Sequence, residues 1–188
     1  MKSVADIFRS YGVLDAHGRH VNGTDKQTNH NYGAAYERIF LIKGLRERAT
    51  LMMEVGVADG SSLCAWREVF PNAMCVGLDI HHADKAHGDR IEFHLGDATN
   101  YDDCQRAAGN RRFDLIVDDA THLLSDTLTT LLYLWPYVRP GGLYVVEEFS
   151  NVGVLRSNIM AMWPFAEVVD TQGPFGGNEP LVVLRRLP

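Results

Sequence analysis

The chain has 188 residues, 46% hydrophobic and 22% charged, with a formal net charge of −6. That is ordinary composition for one globular domain long enough to bury a core. The negative balance argues against nucleic acid as a partner, because binders of the phosphate backbone show a basic excess or a basic stripe. The only dense basic pairs are Arg111-Arg112 and Arg185-Arg186. No apolar run approaches the roughly 18 residues of a membrane span. The start, Met1-Lys2-Ser3-Val4-Ala5-Asp6, carries an acid and lacks the apolar stretch of a signal peptide. Cys64, Cys75 and Cys104 are odd in number and lack zinc-ligand spacing, so they read as reduced thiols of a cytoplasmic protein with no membrane partner.

In chain order, Val4–Tyr11 and Gly33–Arg48 read as helices. The second carries Tyr36, Ile39, Phe40, Ile42 and Leu45, an apolar stripe suited to packing on a sheet. Between them Val21–Tyr32 reads as a polar loop. Alternation follows: strand Leu51–Val57, helix Ser61–Phe70, strands Met74–Ile80 and Ile91–Leu95, and a short helix Asp102–Ala108. Next come strand Phe113–Asp118, helix Ser125–Tyr137 and strand Leu143–Glu147. Near-continuous apolar strands separated by helices imply a parallel sheet covered on both faces. Ala166–Asp170 and Leu181–Arg186 are strand-like and joined without a helix by Thr171–Pro180, which contains Gly173, Pro174, Gly176 and Gly177. The expected fold is therefore α/β, a single doubly wound Rossmann-like domain over 1–188. Its mostly parallel, seven-stranded sheet would end in a C-terminal antiparallel hairpin. Residues 1–48 would supply N-terminal helices and a loop covering the site, and 49–188 the core.

The first strand runs into Glu54-Val55-Gly56-Val57-Ala58-Asp59-Gly60, and a helix capped by Ser61 or Ser62 follows. Glycines let backbone approach a ligand, and a helix N-terminus offers free N–H groups. Open α/β sheets bind ligands at the carboxyl ends of their strands. Asp79 ends the second strand about 20 residues on, where an acid can accept from both hydroxyls of a ribose. These features alone also fit a nicotinamide-dependent oxidoreductase, but the spacing is Gly-x-x-x-Gly rather than Gly-x-Gly-x-x-Gly. In that form, with its leading Glu, the loop resembles motif I of class I methyltransferases, whose sheet also ends in an antiparallel hairpin. The resemblance implies S-adenosylmethionine (SAM) as cofactor, and it implies that Asp97, in Gly96-Asp97-Ala98, contacts the adenine.

The fourth strand ends in Asp118-Asp119-Ala120-Thr121-His122 and the fifth in Val146-Glu147-Glu148. Neighbouring parallel strands bring these acids and the histidine to one sheet edge. Packed like charges are costly unless neutralised, and carboxylates without thiolates select Mg²⁺ or a similar hard divalent cation. Several segments resemble Mg²⁺-dependent O-methyltransferases that modify sugars on natural products, such as macrolides and other glycosides. They are Gly23-Thr24-Asp25-Lys26 with His30 and Tyr32, Glu54-Val55-Gly56-Val57, Trp66 to Ala73, Asp118-Asp119-Ala120-Thr121-His122, and Pro140-Gly141-Gly142 before Glu147-Glu148. The resemblance implies Asp119, Glu147 and Glu148 as metal ligands, with His122 as general base beside Asp119. It implies Thr24, Lys26, Glu54, Gly56, Gly60, Ser61, Asp79, Asp97 and Asp118 as the cofactor-binding set. The acceptor implied is a small molecule, a sugar or glycosylated metabolite. The family usually shows Glu-Asp where this chain has Glu147-Glu148. With fewer elements around the acceptor than many relatives carry, the pocket is either open or completed by another subunit of a homo-oligomer.

Plainer assignments fit some of the same residues. Asp119 and Thr121 suit helix caps, His122 a buried hydrogen-bonded histidine, and Asp25-Lys26 an exposed ion pair worth little. Glu147 suits a solvated strand end. His81, His82 and His87 read as loop-surface histidines, and Trp66 as a core anchor. Competing functions are a catechol-type O-methyltransferase, a nicotinamide-dependent oxidoreductase and a non-catalytic SAM-binding protein.

Overall fold

The computed structural model describes residues 2–41, 44–148, 152–164, 166–169 and 180–187. Helix α1, Val4–Tyr11, begins where the Ser3 side chain accepts from the Asp6 amide. It runs directly into strand β1, Gly12–Leu14, which pairs antiparallel with β2, His20–Gly23. This small sheet lies partly in the stretch expected to be a polar loop. Its closure depends on Gly23, at φ +77°, where a Cβ would sit 2.1 Å from the Tyr11 carbonyl oxygen. Helices α2, Gly33–Leu41, and α3, Leu45–Arg48, cover the span expected to form one helix. Gly44 opens α3 in the left-handed region at φ +56°. Ile42 of the expected apolar stripe lies outside the described residues.

Then come β3, Leu51–Val55; α4, Ser61–Val69; β4, Met74–Asp79; β5, Ile91–Leu95; and α5, Tyr101–Ala108. They are followed by β6, Phe113–Asp118; α6, Leu124–Leu134; and a 3₁₀ turn, Trp135–Tyr137, that holds Pro136. Last are β7, Val138–Val146; α7, Val152–Met162; β8, Ala166–Val169; and β9, Leu181–Arg185. No element was expected at α7, whose buried stripe is Leu155 and Ile159, one helical turn apart. The seven strands stand in the order β5-β4-β3-β6-β7-β9-β8. Pairing is parallel from β5 to β7, and β9 is antiparallel to both β7 and β8. The expected α/β architecture and its C-terminal antiparallel pair are thus present, and the connecting residues 170–179 lie outside the described set.

Alternating strand residues feed two cores, one on each face. Met52, Leu115, Val117 and Val145 pack with α1, α2 and α4 around Phe8, Tyr36, Phe40 and Trp66. Met53, Val55, Ile116 and Tyr144 pack with Cys104, Leu131, Leu155 and Ile159. The order reverses at β3, with β4 and β5 on one side and β6 and β7 on the other. A crevice opens at the carboxyl ends of strands around such a switch point. Among the described residues, no helix is long and apolar enough to cross a membrane.

Candidate functional site

A cleft of about 430 Å³ lies at that switch point, running from the β4 and β5 ends to the β6 and β7 ends. Gly56, at φ +79°, makes the junction possible: a Cβ there would lie 2.2 Å from the Asp119 carbonyl oxygen. At the β4 end, Asp79 Oδ2 accepts from the Val57 and Ala58 amides at 2.8 and 3.0 Å, and Oδ1 accepts from the His81 amide at 2.8 Å. Asp97 follows β5, and its Oδ1 accepts from the Thr99 amide and hydroxyl at 2.8 and 2.7 Å. Helix α4 starts differently from expectation. Asp59 Oδ1 accepts from the Ser61 amide, whereas the Ser61 hydroxyl accepts from Lys85 Nζ and the Ser62 hydroxyl donates to Glu54.

The β6–β7 end is organised around a buried lysine. Lys26, 1% exposed, places Nζ 2.7 Å from Asp119 Oδ2, 2.7 Å from Glu147 Oε2 and 3.2 Å from Glu54 Oε1. This replaces the exposed Asp25-Lys26 pair considered from sequence. Glu147 is also buried, not a solvated strand end, and its Oε1 accepts from the Tyr36 hydroxyl. Trp66 is indeed a core residue, and its indole donates to Glu54 at 2.9 Å. Burial works to lower the Lys26 pKa, but Asp119, Glu147 and Glu54 outweigh it and hold the ammonium charged. Burial also pushes Asp119 up to about 6 against the pull of Lys26, and it raises Glu147. Asp118, buried and accepting from the Tyr144 hydroxyl at 2.8 Å, is pushed up to about 7 by burial.

Facing the cleft, Glu148 Oε1 lies 2.9 Å from His30 Nε2, and Oε2 lies 3.6 Å from His122 Nε2. His30 Nε2 is also 3.2 Å from Asp25 Oδ2. Burial acts to raise the Glu148 pKa, but the His30 hydrogen bond and charge bring it below the usual range. His122 and Glu148 both occupy the left-handed region, at φ +58° and +50°. Such backbone is uncommon for residues other than glycine, although less so for histidine, and it clusters at functional sites. Asp119, His122 and Glu148 bring one candidate ligand atom each to within 4.8 Å of one another, as do Asp25, His30 and Glu148.

Of the residues singled out from sequence, Gly56, Asp79, Asp97, Asp118, Asp119, His122 and Glu148 line the cleft. Thr24, Lys26, Glu54, Gly60, Ser61 and Glu147 do not. Lys26, Glu54 and Glu147 are absorbed in the buried ion network. Thr24 is buried, with its hydroxyl 3.5 Å from the Lys26 amide. Gly60 lies against Ala86, whose amide nitrogen would sit 2.4 Å from an added Cβ. Sequence reasoning left Asp25, His30 and Tyr36 without site roles. The first two sat in an unusually polar loop, whereas Tyr36 lay within an apolar stripe that hid its hydroxyl.

A family model described as a methyltransferase domain matches residues 53–149. The 8-demethyl-8-alpha-L-rhamnosyl tetracenomycin-C 2'-O-methyltransferase of Streptomyces olivaceus is 34% identical over 142 residues, covering 69% of this chain and 36% of that protein. The mycinamicin VI 2''-O-methyltransferase of Micromonospora griseorubida is 36% identical over 131 residues, covering 63% of this chain and 31% of that protein. The chain thus spans about a third of the length of these curated relatives. Among solved structures, the MycE methyltransferase from the mycinamycin biosynthetic pathway, in complex with Mg and SAH, superposes with a TM-score of 0.71. It is 24% identical, and the match covers 99% of this chain and 55% of that one, which is a likeness of fold.

Proposed function

The chain belongs to the methyltransferase-domain family, and from that premise we propose that it moves a methyl group from SAM to a hydroxyl of a sugar or glycosylated small molecule, assisted by a divalent cation. One observation carries this reading. The cleft joins Asp79 and Asp97 at one end to Asp119, His122 and Glu148 at the other. Asp79, fixed by three amides, is oriented to accept from the ribose hydroxyls of SAM. Asp97, at the neighbouring strand end in the same cleft, would meet the adenine. The sugar acceptor is supported by the relatives, one of which is named as the 2'-O-methyltransferase of a rhamnosyl tetracenomycin and another as a 2''-O-methyltransferase of mycinamicin VI.

Methyl transfer is an in-line displacement, so the protein must align donor and acceptor and make the acceptor oxygen nucleophilic. Asp119 and Glu148 would hold the cation from the ends of adjacent strands. Two carboxylates with room for further oxygen ligands suit Mg²⁺, which keeps several waters and takes few protein ligands. When bound, the cation lowers the cost of removing the acceptor's proton. His122 takes that proton on its imidazole, and Glu148, 3.6 Å from Nε2, stabilises the resulting positive charge. Glu147 has one oxygen on Lys26 and the other on Tyr36, so in this arrangement it supports Asp119 through Lys26. The test is incubation of the protein with SAM, Mg²⁺ and a rhamnosylated aromatic or macrolide acceptor, with the products read by mass spectrometry. Methylated sugar and S-adenosylhomocysteine (SAH) are expected, and chelation should abolish both. Absence of SAM binding by calorimetry would refute the proposal.

A further inference from the structure

The proposed cation and Lys26 both lay claim to Asp119, and the same ammonium holds Glu147 away from the cleft. One ammonium, 1% exposed, faces Glu54, Asp119 and Glu147 within 3.2 Å, and Glu148 lies beyond Asp119 on the cleft side. A single positive charge cannot balance three carboxylates, so the cluster retains an attraction for further cations. That attraction is blunted by the lysine itself. Asp119 reaches the cleft with one oxygen already committed to Nζ, and Glu147 can turn an oxygen toward the cleft only by giving up Lys26 or Tyr36.

Resting on the function proposed above, we infer that Lys26 is a positioning residue that acts as a tethered competitor of the divalent cation. It holds Asp119 and Glu147 in place when no cation is bound, and it weakens cation binding enough to keep it exchangeable. The local structure suits this role. The Lys26 backbone is pinned by the Tyr32 amide, which donates to its carbonyl at 2.7 Å. Its Nζ lies 5.9 Å from the centre of the Trp66 ring. A compact ammonium with three donors can meet three separate carboxylates, whereas the planar fork of an arginine is matched to one. A plain structural staple would occupy the same place, but the two roles predict opposite signs. Loss of a staple loosens Asp119 and weakens cation binding. Loss of a competitor removes a positive charge within a few ångströms of the cation and strengthens it.

Titration calorimetry of Mg²⁺ into the full chain decides between them, using wild type, Lys26→Met and the double variant Lys26→Met/Glu54→Gln. The double variant removes one charge of each sign, so the buried net charge is unchanged and folding is easier to preserve. SAH is titrated in parallel to report the integrity of the other end of the cleft. Lys26→Met is expected to bind Mg²⁺ at least about tenfold more tightly than wild type, with the double variant retaining most of that gain and SAH affinity unchanged in both. Mg²⁺ affinity that is equal or weaker in a variant with normal SAH binding overturns the inference and leaves Lys26 a staple. Wild-type protein that binds SAH but no divalent cation would instead remove the metal from the proposed function, a separate and recognisable result.

Discussion

The two ends of the cleft are built by different means. At the β4–β5 end the acids are held by backbone. Asp79 takes three amides from the glycine turn and its own loop, and Asp97 takes the amide two residues on. At the β6–β7 end the acids are held by side chains from far away in sequence. Lys26 is 93 residues from Asp119 and 121 from Glu147, and Tyr36 is 111 from Glu147. The first end needs only the strands and the turns beside them. The second also needs the segment carrying Lys26 and Tyr36 packed on the sheet, which couples the geometry of this end to tertiary packing. The two ends should therefore fail independently.

The largest expected separation comes from His122. Losing a general base lowers kcat by about 10²–10⁴, so His122→Ala should fall in that range with SAM affinity intact, as measured by steady-state kinetics and calorimetry. His122→Asn is the sharper control. Asparagine tolerates the φ of +58° that the position demands but carries no basic nitrogen, so an equal loss excludes backbone distortion as the cause. Near wild-type kcat in either variant would detach the β6–β7 end from proton removal. The mirror experiment is Asp79→Ala, expected to weaken SAM binding by about 1.5–3 kcal/mol, the range for losing a charged hydrogen-bond acceptor. Turnover at saturating SAM should survive, and a large fall in kcat there would show that the two ends are not separable.

This difference in construction also decides what could be read from sequence. Strands β3, β4 and β6 were legible because parallel, doubly covered strands are continuous apolar runs, and the edge strand β5 because Ile91, Phe93 and Leu95 alternate with polar residues; Phe113–Asp118 and Ile91–Leu95 match residue for residue. Asp79 and Gly56 were legible for the same local reason, standing at fixed distances from a strand end. The α6 boundary was overrun because Trp135–Tyr137 keeps the apolar pattern of the helix while Pro136 tightens it into a 3₁₀ turn. The burial of Lys26 was not legible. Its neighbours Asp25 and Gln27 are polar, and nothing local marks a lysine whose three partners lie on three strand ends. Nor does the sequence announce how differently the adjacent Glu147 and Glu148 are held. Glu147 is buried against Lys26 and Tyr36, whereas Glu148, past the end of β7 and at φ +50°, lines the cleft.

A second lysine provides the smallest and most discriminating comparison. Lys85 Nζ lies 2.7 Å from Asp59 Oδ2 and 3.1 Å from Ser61 Oγ, strapping the loop after β4 to the glycine turn. The ion-pair length equals that of Lys26 with Asp119, but the Lys85 side chain is 48% exposed and the Lys26 side chain 1%. Water and salt screen the first pair, and long side chains pay entropy to hold it, so an exposed bridge contributes about 0.2–1 kcal/mol. The loop also has backbone holding it, since the Lys85 amide donates to the Asp59 carbonyl at 2.9 Å and Ala86 lies against Gly60. Lys85→Met should therefore lower stability by less than about 1 kcal/mol in urea titrations, with the difference shrinking further in high salt and SAM affinity unaltered. A loss above about 2 kcal/mol that persists in high salt would mean that the β4–β5 end also hangs on a charged side chain. The contrast between a backbone-built end and a side-chain-built end would then collapse.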